Sequence, residues 1–111
     1  MSSEYSIIVS TFPNKELARK TAKDLVEQQL AACVQSFPIE SVYLWKDEVH
    51  DENEIMLLIK SRTELFEEIA SAIRELHPYE VPEIIQLPIS EGLPEYLTWI
   101  SDCTRKSKDE I

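Results

Sequence analysis

The feature that most constrains the fold is a run of apolar residues, Ile55–Ile59, in the middle of the 111-residue chain. It lies within a predicted strand, Glu54–Lys60, and it lacks the alternation of a strand that has one face in water. A strand with continuous apolar character is covered on both faces. Helices can cover one face of a small sheet, and another copy of the chain can cover the other. The run therefore predicts an α+β fold that self-associates through its sheet.

Apolar periodicity assigns the rest of the chain to short strands and amphipathic helices. The polar stretch 46–53 is expected to connect two strands as a hairpin loop, and residues 105–111 to form a frayed polar tail. Prolines 82 and 88 place the last strand at an edge or a bulge. The predicted strands are 5–11, 31–46, 54–60 and 81–89.

Three helices are predicted between and after these strands. Asn14 is expected to cap the first, which ends near Gln29, and Thr63 to cap the second. His77-Pro78 ends the second helix, and Pro94 begins the third. The order βαββαβ followed by a helix is that of a ferredoxin-like sandwich, formed here by one domain over residues 1–111.

Composition excludes several classes of function. The formal net charge of -10 argues against binding to nucleic acids or to anionic membranes, which requires basic surfaces. No signal sequence or membrane span is evident, so the chain is expected to be cytoplasmic. Cys33 and Cys103 lie far apart and are expected to be free thiols. The single glycine, Gly92, excludes glycine-rich phosphate loops.

The segment His77–Ile84, HPYEVPEI, concentrates polar chemistry in one bend between a helix and a strand. His77 precedes a proline, which disfavours helical geometry and leaves a short, rigid link. Such a link can hold an imidazole, a phenol and a carboxylate in fixed positions. The alternative is that Pro78 simply stops a helix and Pro82 opens an edge strand.

Two further sets of residues suggest chemistry and leave alternatives open. Cys33 and His77 could form a metal site or a nucleophile and base, within one chain or across a boundary between chains. Cys33 could equally be a small core residue. The stretch His50–Glu54 could bind cations loosely or be a solvated hairpin tip.

Lys60 and Trp45 are the remaining candidates. The Lys60 ammonium could face a pocket with Glu80 or Glu83, or form a structural salt bridge. Trp45 could line an aromatic pocket or lie at an oligomer interface.

Five blocks of sequence, in this order, resemble the CutA family of divalent-cation tolerance proteins, and the resemblance spans about residues 7–104. The most specific block is the His-Pro-Tyr-x-x-Pro-Glu pattern. The blocks are Ala31–Val34, Tyr43–Trp45, Ile59–Ser61, His77–Ile84 and Tyr96–Ile100.

The resemblance implies a ferredoxin-like subunit in a homotrimer similar to that of the PII signalling proteins. It implies a part in tolerance to divalent metals, copper above all, without enzymatic activity or an organic cofactor. His77, Cys33 and Glu83 are the metal ligands it suggests, with Lys60, Tyr79 and Trp45 in the pocket. A PII-like sensor of a small anionic metabolite, bound through Lys60, is the alternative.

The sequence departs from the family where some members carry further metal ligands. Ser10 replaces a cysteine, and Leu76 replaces a second histidine. His77 is the only one of those three ligands that this chain keeps.

Overall fold

Four strands and three helices follow one another in the predicted order in the computed structural model, which describes residues 3–107. A short 3₁₀ turn, Thr63–Leu65, precedes the second helix. None of the helices within these residues is long and apolar enough to cross a membrane. The elements are β1 (Tyr5–Phe12), α1 (Lys15–Glu27), β2 (Cys33–Trp45), β3 (Glu48–Arg62), α2 (Phe66–Leu76), β4 (Ile84–Pro88) and α3 (Pro94–Cys103).

The strands form one antiparallel sheet in the order β2-β3-β1-β4. This is the ferredoxin-like arrangement that the order of elements predicted. β2 and β4 are the edge strands of the four, so the edge position inferred from the prolines is confirmed for β4. Pro88 is its last residue.

The helices α1 and α2 cover one face of the sheet and form the main core with it. Their apolar stripes face alternate residues of β1 and β3, as their helical periodicity requires. The residues at the centre of this layer each have at most 1% of their surface exposed. The central residues are Ile8, Phe12, Leu25, Leu57, Ile59, Ile69 and Ile73.

The opposite face of the sheet is covered only in part. Ile100 of α3 is fully buried, and the hydroxyl groups of Ser101 and Tyr5 share a 2.6 Å hydrogen bond. Beyond α3 the same face carries half-buried Met56 and exposed Phe37. Within one chain, therefore, the β3 run is better covered on its helical side, where Leu57 and Ile59 are fully buried, than on the other side, where Met56 and Leu58 are half-buried.

The hairpin of β2 and β3 is longer than predicted. The expected loop over 46–53 is wrong, because only Lys46 and Asp47 form the turn and residues 48–53 continue β3. Both turn residues have positive φ values, 51° and 67°, as a tight hairpin turn requires. The sequence of residues 48–53 is typical of a loop because these residues project away from the core into solvent. Polar side chains are tolerated there. We call residues 40–53 the arm.

Two predictions about helix ends have opposite outcomes. The Asn14 cap is confirmed, since its side-chain oxygen accepts a 2.8 Å hydrogen bond from the Leu17 N–H. The Thr63 cap is wrong: its hydroxyl donates to the Ser3 carbonyl at 2.7 Å and accepts from Ser6 at 2.6 Å. Tertiary hydrogen bonds to the N-terminal strand therefore replace the local cap.

The predicted frayed tail is also wrong for residues 105–107. The Arg105 N–H donates to the Gln29 carbonyl at 2.8 Å, and its guanidinium lies 3.2 Å from the Glu68 carboxylate. Ser107 is buried. The rest of that prediction, over 108–111, lies outside the described residues.

The end of α1 provides a test of backbone strain. Gln29 has a φ of 59°, a left-handed conformation that favours glycine. Gln29→Gly is expected to raise the free energy of unfolding by about 0.5–1 kcal/mol, since it removes this strain. Chemical denaturation at one fixed protein concentration measures the change. Gln28→Gly is the control and should destabilise, because Gln28 has an ordinary φ of -80°; equal effects of the two variants would contradict the interpretation.

Candidate functional site

His77 anchors the bend that follows α2. Its Nε2 lies 2.6 Å from the Thr11 carbonyl oxygen, which only accepts hydrogen bonds, so Nε2 carries the proton. Its Nδ1 accepts a 3.2 Å hydrogen bond from the Tyr79 N–H. The ring is 9% exposed and packs between Phe12 and Tyr79. Both ring nitrogens of His77 therefore have partners within the chain.

The bend places Tyr79 over the sheet. Its hydroxyl donates a 3.1 Å hydrogen bond to the carboxylate of Glu54, a residue that is only 6% exposed. Burial, followed by the hydrogen bond to Glu54, raises the pKa of Tyr79 well above its usual value. Tyr79 stays protonated at neutral pH and serves as a donor to the carboxylate.

A second tyrosine–glutamate pair lies further along the arm. The Tyr43 hydroxyl donates to Glu52, and this bond, ahead of burial, raises the pKa of Tyr43 to about 12. His50 stacks on the Tyr43 ring, with centroids 5.2 Å apart and planes inclined by 11°. Glu52 and Glu54 are two residues apart in β3, so their side chains lie on the same face of that strand.

A groove of about 870 Å³ separates the arm from residues 78–83. Its wall combines aromatic rings, apolar side chains and carboxylates, and none of the described residues that line it is Lys, Arg or His. The aromatic residues are Tyr43, Trp45 and Tyr79, and the carboxylates are Glu40, Glu54, Glu80 and Glu83.

Of the six metal-ligand and pocket residues that the sequence predicted, three line this groove: Trp45, Tyr79 and Glu83. Cys33 and Lys60 are elsewhere, directly opposite each other on β2 and β3. The Lys60 ammonium lies 5.7 Å from the centre of the Tyr96 ring. The structure therefore separates the predicted pocket residues into two places.

Cys33 and His77 are not neighbours within one chain. His77 bonds to Thr11, which pairs with Met56, whereas Cys33 pairs with Lys60 four residues further along β3. Four strand residues span about 13 Å. Among residues 3–107 there is no group of three or more His, Cys, Asp or Glu side chains arranged to hold a metal ion. A site that includes Cys33 and His77 would need more than one chain.

Sequence reasoning missed Lys46, and it did not predict that Glu54 is buried. The Lys46 ammonium lies 3.7 Å from Glu80 and 5.6 Å from the centre of the Trp45 ring, at the rim of the groove. Glu54 was grouped with the polar stretch His50–Glu54, although it is buried. Its position at the start of the apolar run was the available signal, because the first residue of a buried strand is itself often covered.

The two tyrosine–glutamate pairs predict different costs when the hydroxyl is removed. Tyr79→Phe is expected to lower the free energy of unfolding by about 1–3 kcal/mol, since it leaves the buried Glu54 carboxylate without a donor. Tyr43→Phe is the control, because its pair is exposed to water. It should change stability much less than Tyr79→Phe, because water can replace the lost hydroxyl as a donor to Glu52. Denaturation of both variants measures the difference, and equal losses would contradict the importance of the buried pair.

Comparison with known proteins agrees with this architecture. The family model described as "CutA1 divalent ion tolerance protein" matches residues 6–103. The divalent-cation tolerance protein CutA of Thermus thermophilus is 46% identical over 99 residues, which cover 88% of this chain and 96% of that protein.

Two solved structures are similar in fold and sequence. CutA1 from Oryza sativa has a TM-score of 0.91 and 38% identity, with 96% of this chain and 98% of that chain covered. The CutA from Archaeoglobus fulgidus, described as a periplasmic divalent cation tolerance protein, has a TM-score of 0.88 and 37% identity, covering 89% and 97%. The chain therefore belongs to the CutA family of divalent-cation tolerance proteins.

Proposed function

We propose that this chain acts in tolerance to divalent cations as a cytoplasmic homotrimer that binds the ions beside the His77–Ile84 bend. The observation that carries the proposal is the charge of the groove, where four glutamates and no cationic side chain are found among the described lining residues. Carboxylate oxygens attract divalent cations, and the formal net charge of -10 increases the attraction.

Copper is the metal that we propose, with His77 as principal ligand. The nitrogen available is Nδ1, because its 3.2 Å bond from the Tyr79 N–H is longer than the 2.6 Å contact at Nε2. Giving up that bond costs about 1 kcal/mol. Glu83 belongs to the same bend and lines the groove, so it is the second ligand we propose. Cys33 would come from a neighbouring subunit.

The trimer is proposed from the shape of the subunit. One face of the arm carries apolar side chains that are mostly in water: Val42 is 70% exposed, Leu44 69% and Val49 74%. β2 and β4 also leave edges without a partner strand in the described part of the chain. Pairing the β2 edge of one copy with the β4 edge of the next would close into a ring and cover these residues.

A second candidate function is the binding of a small molecule, as in PII-like proteins. The groove volume of about 870 Å³ favours it, since ligand pockets of 300–1,000 Å³ are typical. The carboxylate lining favours a cationic ligand over the anionic metabolite considered from the sequence, and Lys60 is not part of the lining. We propose no reaction for the chain, because Cys33 and His77 are not adjacent within it.

Titration calorimetry with copper(II) and zinc(II) tests the metal proposal. Wild-type protein is expected to bind about one ion per subunit. His77→Gln should weaken copper binding about tenfold or more, since an amide can keep a donor near Thr11 but removes Nδ1 as a ligand. Glu83→Gln should weaken it less.

Glu75→Gln is the control for Glu83→Gln in this titration, because it makes the same change of charge at an exposed position on α2. Unchanged copper affinity in His77→Gln would contradict the assignment of His77. Equal losses in the Glu83 and Glu75 variants would show that the effect is only one of net charge.

Light scattering tests the trimer. A mass three times that of one chain is expected for the wild-type protein, and Leu44→Asp combined with Val49→Asp should give smaller species because charges would enter the interface. Val26→Asp on α1, at a position that is also partly exposed, is the control and should stay trimeric. A wild-type monomer at micromolar concentration would contradict the proposal.

A further inference from the structure

The geometry points to an organic ammonium compound, of the class of linear aliphatic diamines, as the small molecule that the groove binds. This inference rests on the second function proposed above, the binding of a small molecule. It identifies the chemical class of the ligand and the residues that would select it.

The lining contains the two partners that an alkylammonium group requires. Aromatic faces attract cations through their quadrupole, and carboxylates accept charge-assisted hydrogen bonds from N–H donors. Trp45, Tyr43 and Tyr79 supply the rings, and Glu83 and Glu54 supply carboxylates in the same groove. Apolar lining between them would contact the methylene chain of a diamine.

The chain itself places an ammonium group in this environment. The Lys46 ammonium lies 5.6 Å from the centre of the Trp45 ring and 3.7 Å from the Glu80 carboxylate. Both partners line the groove. The side chains of this ion pair are largely exposed, so the pair is weak and can be exchanged. Lys46 therefore acts as an internal competitor for one end of the ligand.

Glu54 supplies a buried carboxylate in the same groove. It is 6% exposed, and within the described part of the chain its Oε2 accepts a hydrogen bond from the neutral Tyr79 hydroxyl. A carboxylate removed from water is stabilised by a cation more than by a single neutral donor. Because Glu54 lines the groove and is bonded to Tyr79, it favours a ligand whose second ammonium group reaches into the groove.

Other occupants fit less well. An anion would meet four glutamates. A second copy of the chain has a better target on the opposite face of the arm, where Leu44 and Val49 are paired and exposed. Tyr43 and Trp45 point to the groove side because neighbouring residues of a strand alternate between faces.

The test uses the intact oligomer with Trp99→Phe, so that Trp45 is the remaining tryptophan. With metal ions removed, 1,4-diaminobutane, neutral 1,4-butanediol and the dianion glutarate are each titrated, and Trp45 fluorescence and calorimetry are recorded. The diamine should bind at least about tenfold more tightly than the diol, as expected for a desolvated cation–π contact with a carboxylate partner.

Variants locate the binding site. Glu54→Gln and Glu83→Gln should each weaken diamine binding about tenfold, while Glu75→Gln should not. The Glu83→Gln variant keeps the test valid if removal of the Glu54 carboxylate disturbs folding. Lys46→Met should strengthen binding about two- to threefold because it removes the internal competitor, and Lys23→Met on α1 should have no effect.

The outcomes separate the two levels of the proposal. Binding of the diol or glutarate in preference to the diamine would overturn the ammonium assignment and leave a small-molecule role. Failure of all three compounds to bind or to change Trp45 fluorescence would overturn both. Trp45 fully shielded from acrylamide in the oligomer would show that another copy fills the groove, which would also overturn the inference.

Discussion

The hydrogen bond between the His77 ring and the Thr11 carbonyl is the interaction on which the site depends. It joins the end of α2 to the end of β1, and it fixes the start of the bend that forms one wall of the groove. The second nitrogen of the same ring orders the next residues by accepting the Tyr79 N–H. The two ring nitrogens of His77 thus fix the position of the Tyr79 phenol, whose hydroxyl donates to the buried Glu54 carboxylate.

The two faces of the sheet have different roles because they are covered differently. The face beneath α1 and α2 is filled by fully buried aliphatic side chains and supplies most of the apolar burial of the subunit. The other face is covered by α3 at one end only, and the arm extends beyond the layered part of the fold. Chemistry is concentrated on this second face, where carboxylates and aromatic rings are left accessible beside a rigid scaffold.

Much of the fold could be predicted because local signals agree with the tertiary structure. The Asn14 cap, the helix stop at His77 and the start of α3 at Pro94 each depend on neighbouring residues alone. The outer half of the arm could not be predicted in this way, because its residues 48–53 are polar and become a strand only by pairing with β2. Thr63 failed as a cap for a similar reason, since distant residues satisfy its hydroxyl.

The site was predictable in its residues more than in its arrangement. Tyr79 and Glu83 were predicted as site residues from the unusual bend together with the resemblance to the CutA family, and the structure places them in one groove with Trp45. The separation of Cys33 and Lys60 from that groove follows from strand register, which the sequence did not specify. The burial of Glu54 was missed because it was interpreted together with the polar residues before it, although it begins the apolar strand.

The protonation of His77 tests the central claim most directly. A long-range proton–nitrogen NMR spectrum of protein labelled in its imidazole nitrogens, assigned with a His50→Gln variant, reports the tautomer of each ring. We predict that the His77 ring carries its proton on Nε2, which donates to the Thr11 carbonyl, and that Nδ1 is unprotonated and accepts the Tyr79 N–H. A proton on Nδ1, or a ring exchanging freely between tautomers, would contradict the claim that His77 fixes the bend.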